Sequence, residues 1–220
     1  PTIMGLAFQN SLRGPGHALA GAGDHLYVSQ GGYLAVLDLS APAGQQQVGS
    51  LALDGEITDL AVSGSTLMAI VWPRTTPRFT LAPYVELLSL ADPAAPQPAG
   101  TLPVPTPTGW SVDGDNVYVG SASGVTTVVT PGSTPGAPTI AQYTTGITSG
   151  SFVARGSYLF AVDDLTDTFD VRVFDTTPGA NFRRVAETEI LAPWMSGINA
   201  TTLVGDLLYI STNFKFSSPV

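Results

Sequence analysis

The sequence predicts an all-β fold made of repeated four-stranded antiparallel units, and three observations predict it. The 220 residues include 24 Gly and 18 Pro, which break helix interiors and populate turns. Hydrophobic residues make up 44% of the chain and charged residues only 11%, too apolar a mixture for a disordered polymer. One hexapeptide pattern also returns five times along the chain.

The pattern is Gly, then Asp or Ser, any residue, an aliphatic residue, a large apolar residue, and Val, Ala or Ile. Its copies are Gly23-Asp-His-Leu-Tyr-Val28, Gly64-Ser-Thr-Leu-Met-Ala69, Gly114-Asp-Asn-Val-Tyr-Val119, Gly156-Ser-Tyr-Leu-Phe-Ala161 and Gly205-Asp-Leu-Leu-Tyr-Ile210. A short apolar segment precedes each Gly and another follows it. Gly-Asp and Gly-Ser are tight-turn pairs, so each copy reads as a β-hairpin. A third strand follows in the complete repeats: Leu34–Pro42, Val85–Pro93, Val125–Pro131 and Val171–Pro178, each ending in a proline turn. A fourth comes next, at 46–53, 97–104, 139–144 and 183–190.

Four antiparallel strands in about 45 residues match one blade of a β-propeller. Several third strands are apolar on both faces, whereas a sheet with one wet face would alternate. Blades are covered on both faces by their neighbours. A two-sheet sandwich is the alternative, but it does not require a five-fold repeat. The expected organisation is one propeller domain over 1–220, with repeats at about 17–56, 57–107, 108–147 and 148–193 and a partial repeat at 194–220. Residues 1–12 are offered as a closing strand. The fifth repeat stops after its second strand, so the full polypeptide is expected to be longer and to supply at least one more strand.

Tyr27-Val28 followed by Leu34-Ala-Val-Leu-Asp-Leu-Ser-Ala-Pro42 resembles the LVIVD repeat of bacterial and archaeal surface β-propeller proteins. Val85–Pro93, with Ala95-Pro-Gln-Pro-Ala-Gly100 after it, resembles the same repeat; Val171–Pro178 matches it less closely, and Val125–Pro131 lacks the Asp. The resemblance implies an extracellular, cell-surface or periplasmic location and brings no catalytic residues with it.

Charge narrows the partners. The formal net charge is −9, from 17 acidic and 8 basic residues, and Lys215 is the only lysine. Nucleic-acid binding needs phosphate neutralisation by Lys and Arg, so nucleic acid is excluded. The longest uncharged stretch, 116–154, is rich in Thr, Ser, Gly and Pro, so membrane insertion is not expected. Cysteine is absent and the only histidines are His17 and His25, which removes thiolate chemistry and His-rich metal sites.

Repeats two and four are longer by about eight residues, both between the second and third strands. That connection lies on the blade-crossover side, and loops there carry function more often than core strands do. The first insertion holds Trp72, Arg74, Arg78 and Phe79, which are interface-anchor residue types. The second holds Asp163, Asp164, Asp167 and Asp170, oxygen ligands of the kind calcium takes. The plain alternatives are a loop whose aromatics fold back onto their own blade, and a solvated acidic hairpin. Asp38 and Asp175 end third strands and are expected to accept backbone N–H bonds there. No nucleophile motif is present. The expected function is therefore a non-enzymatic interaction or scaffold module that binds a protein or surface polymer through the loops of one face. Calcium is the single cofactor candidate. The rival is a hydrolase or lyase with a metal in the propeller's central channel.

Overall fold

The computed structural model describes residues 18–73, 82–148, 150–165, 168–191 and 195–214. Among them are eighteen strands and no helix. The first sheet is β1 (Leu19–Ala22), β2 (His25–Gln30), β3 (Tyr33–Asp38) and β4 (Gln47–Ala52). The second is β5 (Glu56–Ser63), β6 (Thr66–Trp72), β7 (Tyr84–Ser89) and β8 (Gln97–Leu102). The third is β9 (Pro107–Asp113), β10 (Asn116–Ser121), β11 (Val125–Thr134) and β12 (Ala137–Thr144). The fourth is β13 (Gly150–Arg155), β14 (Tyr158–Leu165), β15 (Thr168–Asp175) and β16 (Arg183–Leu191). The last pairs β17 (Met195–Val204) with β18 (Leu207–Phe214). Strand order in each sheet follows sequence order, which makes every sheet a meander. The fold is the all-β, propeller-like repetition of four-stranded blades that the hexapeptide pattern predicts.

Each pattern copy forms the two-residue turn between the first and second strands. Gly23, Gly64, Gly114, Gly156 and Gly205 take φ of +54° to +59°, while the Asp or Ser after each has no positive φ. That is the geometry of a turn with a left-handed first residue, whose twist matches antiparallel strands. A Cβ on Gly23, Gly114, Gly156 or Gly205 would meet nothing within 4 Å. The backbone angle, not crowding, demands glycine. The turn then sets register, pairing Ala22 with His25, Ser63 with Thr66, Asp113 with Asn116 and Arg155 with Tyr158.

The chain divides into two compact units: Pro1–Leu102 with Gly132–Ala137, and Pro103–Pro131 with Pro138–Val220. In the first, Tyr27, Leu34 and Val36 of one sheet pack with Ile57, Leu60, Leu67, Ala69 and Val71 of the next. Both faces of β6 are buried from Thr66 to Val71. Tyr27 donates its hydroxyl to the Pro93 carbonyl at 3.0 Å, tying the first sheet to the loop that follows β7. The tip of the β11–β12 hairpin also belongs to this unit: the Gly136 N–H donates to Thr66 Oγ1 at 3.1 Å, and a Cβ there would lie 2.5 Å from that of Ala99.

In the second unit, Tyr118 packs with Ile147, Phe152, Leu159, Ala161 and Phe174 on one face of the fourth sheet, while Val162, Phe169 and Val171 pack with Ile198, Leu208 and Ile210 on the other. Fourth strands are the exposed edges. β16 is exposed throughout and carries Arg183, Arg184, Glu187 and Glu189, and β8 carries Pro98; charges and proline protect an edge from further pairing. The register shifts at the same place in three sheets, at Val36/Leu37, Leu87/Leu88 and Val173/Phe174, where the fourth strand carries one extra residue. Such bulges twist an edge strand away from flat pairing.

Two local expectations are corrected. The third strand of repeat three does not end in a proline turn at Pro131: β11 continues to Thr134, and the turn falls at Pro135-Gly136, where Gly136 has φ +78°. Pro131-Gly132 and Pro135-Gly136 are the same turn pair, and only the second Gly takes the positive φ that such a turn uses. In repeat four the extra residues lengthen β14 and β15 as paired strands to Leu165↔Thr168, leaving only 166–167 beyond the described residues. Paired strands satisfy backbone groups that an open loop would leave to water.

Gly114→Ala should lower unfolding free energy by about 1–3 kcal/mol, because the left-handed angle is costly for a residue with a Cβ. Gly114→Asn should recover part of that loss. Urea denaturation of the three proteins checks the order; an unaffected Ala variant would show that the turn can relax.

Burial, reinforced by the charge of Asp92, pushes the Tyr27 hydroxyl up to about 12 from its ordinary value of 10.0. A raised folded pKa gives stability that is complete below pH 10 and lost as pH climbs toward 12. Tyr27→Phe should be less stable at pH 8, since Pro93 loses its donor. The gap to the native protein should narrow between pH 10 and 12, which chemical denaturation across that range measures.

Candidate functional site

Inter-sheet crossovers seat on the turns between second and third strands. The Leu53 and Ile57 N–H groups donate to the carbonyls of Gly32 and Gly31 at 2.9 and 2.8 Å. In the other unit, the Thr145 and Gly146 N–H groups both donate to Gly124, at 3.0 and 2.9 Å. Each unit thus has a crossover end and an opposite end formed by the glycine turns.

Of the residues expected from sequence, Trp72, Asp163, Asp164 and Asp170 fall at the crossover end. Trp72 is the last residue of β6, opposite Glu56, and is 47% exposed. Arg74, Arg78 and Phe79 lie outside the described residues, as does Asp167. Asp163 and Asp164 are in β14 and Asp170 is in β15. Asp163 and Asp170 sit directly opposite each other, and both are buried. Asp170 forms an ion pair with Arg172 two residues on. Arg172 also donates Nε to Glu187 at 3.1 Å and Nη1 to the Gly146 carbonyl at 3.2 Å. Partial burial opposes the guanidinium charge, but Glu187 and Asp170 outweigh it and raise the Arg172 pKa. This is an acid–base network that ties β15 to β16 and to the crossover. Among the described residues, no group of three His, Asp or Glu side chains is placed to hold a metal ion.

The glycine-turn end carries a site that the sequence reading did not single out. At the end of β15, Asp175 Oδ1 accepts the Thr177 N–H at 3.0 Å and its hydroxyl at 2.6 Å. Asp38 does the same for Ser40, at 2.8 and 2.6 Å. These bonds, hydroxyl first, hold both carboxyls below the usual range and realise the turn role expected of both residues. The Thr176 N–H then donates to the Ser157 carbonyl at 2.8 Å, as Leu39 does to Asp24 and Leu90 to Ser65. After Gly179 (φ +88°) come two left-handed residues that are not glycine, Asn181 (φ +50°) and Phe182 (φ +54°). Asn tolerates this conformation; for Phe it is an outlier.

The excursion turns Phe182 back onto the third sheet. Its ring stacks on Tyr143, with centroids 4.3 Å apart and planes 14° apart. It meets Tyr118 at 6.1 Å and Phe174 at 6.3 Å, both tilted. Thr139, Ala141 and Tyr143 alternate along β12 and so share a face. With Asn116, Tyr118, Val128 and Thr130 they form one side of a groove of about 340 Å³; Gly156-Ser157 and the loop from Thr176 to Phe182 form the other. Burial raises the Tyr118 pKa; a hydrogen bond to Thr176 takes back part of the rise, and the charge of Asp113 adds a smaller one. The sequence signal for this groove was an aromatic in a Thr-Thr-Pro-Gly-Ala-Asn loop, masked because Phe182 abuts the fourth strand.

No protein-family model matches the chain, and no curated protein sequence matches it. Among solved structures it is similar to apo AztD from Citrobacter koseri, with a TM-score of 0.57 and 14% identity, over 80% of this chain and 48% of that one. A second crystal structure of Citrobacter koseri AztD gives a TM-score of 0.51 and 14% identity, over 78% and 46%. The chain therefore spans about half the length of the structures it matches. At this identity the likeness shows the fold alone.

Arg172→Met should cost about 2–4 kcal/mol, because it strands the buried Asp170 carboxylate. Adding Asp170→Asn should return part of the loss. A double-mutant cycle by denaturation measures the coupling; additive losses would dissolve the network.

Proposed function

We propose that the chain is a non-catalytic recognition module of a secreted or cell-surface protein, and that it holds a protein or surface polymer through its loops. The observation that carries this reading is the glycine-turn groove of the second unit, where two consecutive strained residues bring Phe182 over Tyr143. Left-handed non-glycine residues cost on the order of 1–3 kcal/mol each and collect at ligand clamps. Ligand pockets typically run from about 300 Å³ upward and combine aromatic walls with a few placed polar groups, which is the composition found here. The likeness of the repeats to the LVIVD repeat supports a surface location, and the charge of −9 supports a partner other than nucleic acid. Exposed Trp72 supports a further contact at the crossover end of the first unit, worth about 1 kcal/mol or more if it anchors a partner.

The test is co-sedimentation of the labelled protein with cell envelopes of its source organism. Phe182→Asn suits the left-handed backbone and should leave the melting temperature intact while reducing retention at least fivefold. Retention equal to that of the native protein would overturn the groove as the recognition site.

A further inference from the structure

We infer that the groove beside Phe182 takes a neutral carbohydrate, a pyranose unit packed on the Tyr143–Phe182 stack and hydrogen-bonded by the surrounding hydroxyls. The inference rests on the recognition reading above and names its ligand class.

The lining itself selects the ligand. In a protein of net charge −9, none of the residues lining this groove is Asp, Glu, Lys or Arg. An ionic ligand would give up hydration there and meet no counter-charge. A purely apolar ligand is disfavoured for the opposite reason. Thr130, Thr139, Ser157 and the Asn116 amide border the groove, and covering them without partners costs each its bonds to water. The ligand must therefore be uncharged, present an apolar face to the rings and carry polar groups around it.

Hydroxyl chemistry separates the two ligand classes that remain. Thr and Ser hydroxyls both donate and accept. A sugar hydroxyl also does both, so each contact can be satisfied in either sense. A proline-rich peptide also suits aromatic grooves, but its proline carbonyls only accept, which leaves the acceptor side of the Thr and Ser hydroxyls unmatched. The groove, at about 340 Å³, is sized for a short saccharide unit rather than a long chain lying along it.

The backbone supplies an independent observation. At the five repeat turns the left-handed position is glycine, which relieves the strain, yet at 181–182 the strain is kept and an aromatic is placed there. The Gly23–Asp24 and Gly64–Ser65 turns of the first unit border a cleft at the corresponding position. Leu90 stands where the second unit has Thr176, and no Phe, Tyr or Trp lines that cleft, whose single aromatic ring is the His25 imidazole. The aromatic platform is an addition to the repeat, not a requirement of it.

The experiment is binding of the whole chain to an immobilised panel of neutral oligosaccharides, uronic-acid oligosaccharides and proline-rich peptides. Envelope retention is measured alongside it, after periodate or protease treatment of the envelopes. The expected result is binding to one or more neutral oligosaccharides and loss of envelope retention after periodate. Phe182→Asn should weaken sugar binding at least tenfold, and Thr139→Val, which keeps shape and strand preference, about threefold to tenfold. Retention that survives periodate but not protease, or binding confined to peptides or to charged sugars, would overturn the carbohydrate inference and leave the recognition reading standing. Sugar binding unchanged in both variants would place any carbohydrate site elsewhere and overturn the inference as well. Thermal melts of both variants confirm that each is folded.

Discussion

A two-residue hairpin closes with the twist its strands require only when its first loop residue is left-handed, and in all five repeats that residue is a glycine near φ +57°. Register follows from that turn, and in a strand register decides which face each side chain joins. It sends Tyr27, Met68 and Tyr118, the fifth residues of their copies, into buried positions. A one-residue slip would turn those side chains to the other face and bring the flanking residues inward. The left-handed glycine is thus a constraint on the core.

Burial on both faces of the middle strands has a second consequence. Polarity is pushed outward to the fourth strands and to the loops at the two ends, and the chain treats the ends differently. At the crossover end, buried charge is absorbed internally: Asp170, Arg172 and Glu187 bond one another and a crossover carbonyl. At the glycine-turn end, Asp38 and Asp175 are spent on capping the turns after the third strands. What lines the groove of the second unit at that end is uncharged, a set of rings and hydroxyls. Its chemistry is defined by where the charges of the fold have already been used.

Legibility in the sequence followed the physics of each element. The turn glycines and the Asp38 and Asp175 turns were legible because their causes lie within a few residues of chain. Sheet order was legible because consecutive strands joined by short turns pair with each other. Pro131 misled because the sequence offers two Pro-Gly pairs four residues apart, and local composition does not tell which of them turns. The acidic run in repeat four read as calcium ligands or a solvated hairpin because spacing alone does not show that Asp163 and Asp170 face each other, buried, across a ladder with Arg172 beside them. The groove was invisible for a deeper reason: its two sides, Tyr143 and Phe182, belong to adjacent sheets, and a left-handed phenylalanine is something no propensity predicts.

The energetics of that phenylalanine bear on what the loop is for. Two left-handed non-glycine residues cost on the order of 2–6 kcal/mol together. Stacking returns about 0.5–1.5 kcal/mol, and burying part of a phenylalanine returns at most about 1.5–3 kcal/mol. The loop is therefore held near balance, without the surplus that a purely structural element accumulates. Its Asx turn at Asp175 and the Thr176–Ser157 bond fix its base, and the stack on Tyr143 holds the ring. A ligand that packs on the stack adds to the side of the balance that is short, and it does so without having to order the rest of the loop. Such pre-organisation lowers the entropic cost of binding. It also explains why the strain sits at Asn181–Phe182, beside the groove, while the equivalent loops after β3 and β7 show no left-handed non-glycine residue among those described.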